Sequence, residues 1–166
     1  MTLATVIIGI GNPVLTDDSV GIEVVKRLEK ELRADEDVVT RMLCAGGMRL
    51  MEALQGYQDA IIIDAIVTDG GEPGSVYYLE PSDLRQTRHT CSTHDANLAD
   101  ALELGKSLGL PLPEHIQIWA IEASDVVTFS EHLTDPVQAA VPKVVQALVR
   151  QFEKKRRLAR RFQAET

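Results

Sequence analysis

Thr5-Val6-Ile7-Ile8-Gly9-Ile10-Gly11-Asn12 is an apolar run of strand length that ends in a glycine turn. A run without polar alternation predicts a strand buried on both faces, as in a parallel sheet covered by helices on either side. Downstream, Val20, Val24, Val25, Leu28 and Leu32 recur at helical spacing, so a first helix is expected over about residues 19–32. Residues 38–43 read as a second strand, and Leu50, Met51 and Leu54 as a short helix behind the Gly46-Gly47 pair. Ala60-Ile61-Ile62-Ile63-Asp64-Ala65-Ile66 is a third strand interrupted by a single acid. Behind the turn-rich loop 69–74, residues 75–79 read as an extra strand pairing antiparallel at an edge or in a hairpin. The polar stretch 81–92 suits a flap, and a helix follows over about residues 95–108. A strand at 116–122 and a last helix on Val137, Val141, Val144, Val145, Leu148 and Phe152 complete the chain.

This alternation predicts an α/β fold: a single-domain, three-layer αβα sandwich around a twisted, mostly parallel sheet of about five strands, in the common order 2-1-3-4-5. The domain is expected over residues 1–153, with 154–166 as a basic helix end or flexible tail. The length of 166 residues suffices for one core without staples. A net charge of −8 argues against nucleic acid as a partner, because phosphate binding needs a basic face. That charge is uneven: residues 150–166 hold seven basic side chains against two acidic ones, the pattern of a solvated helix end. The two cysteines, Cys44 and Cys91, form no secreted-type disulfide framework and are each expected to be small buried side chains. No signal peptide or membrane-length apolar run is visible, so a cytoplasmic location without membrane contact is expected. Composition says little about oligomeric state; a monomer is favoured.

Asp18, Asp64 and His94 carry the chemistry. With strands one and three adjacent, Asp18 beyond the first and Asp64 near the end of the third meet at the crevice where such sheets bind ligands. His94, before a helix, approaches from a neighbouring loop. Two carboxylates and an imidazole form a site for a divalent transition metal. A buried aspartate in an apolar strand also has to be paired, hydrogen-bonded or metal-bound. The bland readings are helix capping and first-turn placement for the Asp17-Asp18 pair, backbone hydrogen bonding for Asp64, and a surface position for His94. Glu122 reads as an ordinary pairing residue. The Gly9-x-Gly11 turn lacks the third glycine of a dinucleotide fingerprint, and Met42-Leu43-Cys44 stand where its acid belongs, so no nicotinamide or flavin is expected.

The segment Gly9-Ile10-Gly11-Asn12-Pro13-Val14-Leu15-Thr16-Asp17-Asp18-Ser19-Val20-Gly21 resembles the opening signature of the nickel–iron hydrogenase maturation proteases. Ile62-Ile63-Asp64-Ala65 and Ser92-Thr93-His94-Asp95 are similar to that family's second acid and its histidine. The resemblance implies Asp18, Asp64 and His94 as nickel contacts; that Asp18 and Asp64 also position water is a hypothesis added to it. Asn12, Gly46 and Gly47 would touch substrate. It further implies an endopeptidase that removes the C-terminal extension of a nickel-loaded hydrogenase large-subunit precursor, the nickel arriving with the substrate as recognition element. Zinc or cadmium would occupy the same ligands in vitro. Two departures stand out: many relatives carry Glu where this chain has Asp18, and Arg41-Met42-Leu43-Cys44-Ala45 lacks the acid and threonine often found before the glycine pair. The rival readings are a phosphoacceptor signalling domain, which also needs an acid pair and a strand-three aspartate, and a non-proteolytic metal-binding scaffold.

Overall fold

The Thr5–Ile10 run forms the first strand (β1), and all six of its residues are buried. It lies between two parallel partners, β2 (Val38–Leu43) and β3 (Asp59–Ile66), in unbroken register from Thr5 opposite Val38 and Asp59. The computed structural model describes residues 4–33, 35–44, 46–83 and 95–164. Within them, β5 (His115–Glu122) runs parallel to β3, and the four-residue β4 (Val76–Leu79) pairs antiparallel on the outer side of β5. The sheet order is β2-β1-β3-β5-β4, a five-stranded, mostly parallel sheet.

The strand at 76–79 takes the antiparallel edge position expected for it, which leaves β5 inside it beside β3, so the order departs from 2-1-3-4-5 only in chain numbering. Burial explains why: Ile118, Ala120 and Ile121 of β5 are shielded on both faces, whereas β4 is half-exposed and its Tyr78 is open to solvent. The more apolar strand takes the interior position and the shorter one the edge.

Strand alternation sorts the core into two faces. Ile7, Ile61, Ile63, Trp119 and Ile121 pack with α1 (Val20–Glu31) and α4 (Asp135–Ala164). Val6, Ile8, Ile10, Ala60, Ile62 and Ile118 pack with α2 (Met48–Leu54) and α3 (Asp95–Ser107). The three layers follow directly, because a strand with apolar side chains up and down must be covered twice. Gly21, in the first turn of α1, meets the sheet so closely that an added Cβ would strike the carbonyl oxygens of Ile63 and Ile10. This contact sets the helix N-terminus directly over the carboxyl ends of β1 and β3. No helix among the described residues is long and apolar enough to cross a membrane.

Candidate active site at the carboxyl edge of the sheet

The chain leaves β1 through Gly11, whose φ of 153° and close approach to the Asp18 carbonyl leave no room for a side chain. Its N–H donates to the Leu43 carbonyl (3.1 Å), joining the start of this loop to the end of β2. Asn12 then closes a turn: its side-chain Oδ1 accepts the Val14 N–H (3.2 Å) and its carbonyl the Leu15 N–H (3.1 Å). Its own N–H donates to Asp18 Oδ2 at 2.9 Å. Asn12 and Asp18, singled out separately in the sequence, are thus in direct contact. Asp18 is half-buried, on a single 3-10 turn over Thr16–Ser19 that packs against β3.

Asp64 stands on β3 opposite Ala120 of β5 and is 3 % exposed. Its Oδ1 accepts the N–H of Ala65 at 2.8 Å. Alternation with Ala60 and Ile62 assigns it to the face covered by α2 and α3. The α3 helix descends toward the start of β5, as the hydrogen bond from the Gly56 N–H to the Pro111 carbonyl beyond it shows, so its first residue, Asp95, belongs to the carboxyl edge. Asp18, in the turn after β1, and Asp64, in the neighbouring β3, accordingly share one sheet edge. His94 lies outside the described residues, as do Cys91, His89 and most of the 81–92 stretch. Among the described residues, no three His, Cys, Asp or Glu side chains group as a metal site.

Gly47 forms the N-cap of α2 with φ 66°, a left-handed conformation that favours glycine, and nothing crowds the place where its Cβ would be. With half-buried Gly46 it follows the end of β2, the strand end that Gly11 bonds. Cys44 is exposed, against the expectation of a buried thiol, because β2 is the sheet's outer strand and the turn that follows it faces solvent.

The acid pair separates cleanly, and neither member caps a helix: the residue before α1 is Ser19, which makes no side-chain capping bond. Asp17 is fully buried and faces the opposite way from Asp18 in its bonding. Its Oδ2 accepts the N–H groups of Ser124 (2.9 Å) and Asp125 (3.0 Å), and its Oδ1 the N–H of Thr134 (2.8 Å). The Thr134 hydroxyl also donates to this carboxylate, 2.8 Å from Oδ2. Asp17 therefore rivets the Asp18 loop to the segment between β5 and α4. The sequence signal for this role is Thr134-Asp135-Pro136, a helix-start pattern whose threonine bonds a distant acid. Only Asp18 of the pair remains at the edge, whereas a phosphoacceptor site needs two acids there. Glu122, also buried, accepts from the Thr68 N–H and hydroxyl, both at 2.8 Å, and so holds the loop after β3.

The sequence model of the hydrogenase maturation protease family matches residues 22–151, a span that includes Asp64 and His94. The Hydrogenase 2 maturation protease of Escherichia coli K12 is 30 % identical over 97 residues, 58 % of this chain, and the chain spans about three fifths of that relative's length. Among solved structures, the hydrogenase maturating endopeptidase HybD from E. coli superposes with a TM-score of 0.75 at 23 % identity, covering 92 % of this chain and 94 % of that one. The [NiFe] hydrogenase maturation protease HybD from Thermococcus kodakarensis gives 0.70 at 24 %, covering 90 % and 99 %. These two likenesses establish a shared fold. With more than three quarters of its length matched by the family's sequence model, the chain belongs to the hydrogenase maturation protease family.

Proposed function

We propose that this chain is an endopeptidase that removes the C-terminal extension from the precursor of a [NiFe]-hydrogenase large subunit, once nickel has been inserted. The observation that carries this reading is the family match over residues 22–151, joined to the placement of Asp18, in the turn after β1, and Asp64, in the adjacent β3, at one edge of the sheet. In the proposal, nickel belongs to the substrate. Asp18, Asp64 and His94 would supply two carboxylate oxygens and an imidazole nitrogen to it, a donor set suited to a borderline divalent ion. A precursor without metal would find no such bonds and would dissociate. Discrimination between loaded and empty substrate then follows from coordination itself.

The chain's own part is to hold those donors. Asn12 pins one oxygen of Asp18, and burial fixes Asp64 on a rigid strand rather than on a loop. The same two carboxylates position the attacking water against the scissile carbonyl. Gly47 offers uncluttered backbone to the substrate chain, with Gly46 beside it.

The test is mass spectrometry of nickel-loaded and nickel-free precursor after incubation with the purified protein. One cut in the loaded precursor and none in the empty one is expected. Asp18→Asn should slow the cut by about a hundredfold or more, the usual range for loss of a group that handles a proton or its water. Normal cleavage by that variant would remove Asp18 from the mechanism. Equal cutting of both precursors would remove nickel from recognition. Zinc or cadmium should raise the melting temperature of the wild-type protein, and His94→Ala should abolish the rise.

A further inference from the structure

Val127 and Phe129 are 78 % and 81 % exposed, more than any other large apolar side chain among the described residues. Both project from the segment between β5 and α4, at the carboxyl edge. That segment is fixed by bonds along its length. Asp125 Oδ1 accepts the N–H groups of Val127 (3.0 Å) and Thr128 (2.9 Å). The Thr128 carbonyl accepts the Thr16 hydroxyl (2.6 Å), and Ser130 bonds Val14 and Thr16 through its backbone, both at 3.0 Å. The parallel bridge between Leu15 and Ser130 puts Val14, itself 42 % exposed, in register with Phe129. Hydrogen bonding, first from the Thr128 hydroxyl and then from the two N–H groups, lowers the Asp125 pKa, so the clamp on the turn persists into acid. Water-exposed aromatic and branched side chains on so rigid a support are a displayed surface rather than a collapsed one.

We infer that Val127, Phe129 and Val14 form a preorganised apolar knob that docks into an apolar depression on the folded body of the large-subunit precursor, beside the root of its extension. This rests on the function proposed above. The knob and Asp18 belong to one bonded loop pair, with Val14 four residues before Asp18, so a chain delivered to Asp18 brings its parent body against the knob. The shape selects the partner as well. Side chains that stand out from the surface offer no groove for a loose peptide, so the concave element has to come from a folded protein.

The test compares wild type, Val127→Ser and the double variant Val127→Ser/Phe129→Ser on nickel-loaded precursor. Kinetics, Kd for the precursor by surface interferometry, and Tm are measured for each. Leu108→Ser, 61 % exposed at the end of α3 away from the carboxyl edge, is the control. The double variant should raise KM and Kd by about ten- to thirtyfold, with kcat, Tm and the control unchanged. The single variant should give a smaller shift in the same sense. Wild-type values in the double variant would overturn the inference, as would failure of the wild-type protein to bind the folded precursor. Binding that depends on the knob, without any cut, would sink the protease reading and leave the docking surface standing. A concentration-dependent dimer that the double variant dissolves, with KM unmoved, would assign the knob to self-association instead.

Discussion

The α1/α4 face of the sheet and the α2/α3 face cover the same strands in different ways. Among the described residues, Ile7, Ile61, Ile63 and Trp119 pack on the first with α1 and α4, and Ile8, Ile62 and Ile118 on the second with α2 and α3. On the first, the helix meets the sheet backbone to backbone at Gly21. The other face carries Asp64 inside its apolar layer, and the open backbone of Gly47 adjoins it. One face resists change because every atom has a neighbour. The other carries a carboxylate and bare backbone at its edge, the usual relation between a rigid support and the groups it holds.

The largest effect should come from Gly21→Ala, which drives a methyl group into two main-chain carbonyls that cannot turn aside. A loss of about 3 kcal/mol or more is expected, lowering Tm by roughly 10 °C. A Tm within about 2 °C of wild type would show that α1 can lift from the sheet, and the contrast between the faces would fail.

The acid pair repeats the contrast within two adjacent residues. Asp17→Ala strips the N–H groups of Ser124, Asp125 and Thr134 of their acceptor and should cost about 2–4 kcal/mol in chemical denaturation. Asp18→Ala should cost less than about 1 kcal/mol, since one N–H is released at a half-exposed position. If the two variants are equally stable, Asp17 is no rivet.

The sequence made some of this legible and not the rest. Ile7, Ile8 and Ile10 announce a strand buried on both sides because nothing in the run is tolerable in water, and the adjacency of β1 and β3 follows from common topology. The edge position of β4 is legible in its short run behind a turn-rich loop, whereas the place of β5 beside β3 is decided by the competition for interior burial. Asp17 and Asp18 look alike because the partners that distinguish them are 107 to 117 residues away for Asp17 and 6 for Asp18. Cys44 was misread as buried because apolar character was judged without knowing that its strand is the outermost. The shared edge of Asp18 and Asp64 is legible because an acid beside an apolar run is conspicuous.

The smallest effect concerns pH. The Asp125 carboxyl titrates below its ordinary value of 3.8 in the folded chain because of the Thr128 and Val127 bonds. Its contribution to stability is therefore fully present above that value and is lost as pH falls through the lower folded value. Protection of the Val127 and Thr128 amides, measured as exchange relative to the intrinsic rate at each pH, should fall in that acid range, and Asp125→Asn should flatten the change. An unaltered pH profile in that variant would release the turn from its clamp.

The last helix has one further consequence. It starts at the carboxyl edge and runs the full depth of the sheet, where Lys155 pairs with Asp59 (2.6 Å) and Arg156 with Asp35 (3.4 Å) at the opposite rim. Beyond them Arg157, Arg160 and Arg161 extend into solvent. The molecule is thus electrically lopsided along its long helix, with cations gathered at the pole farthest from Asp18 and Asp64. An anionic matrix or polymer would grip that pole and leave the carboxyl edge turned outward. Immobilisation through charge alone should orient the protein with its mouth free.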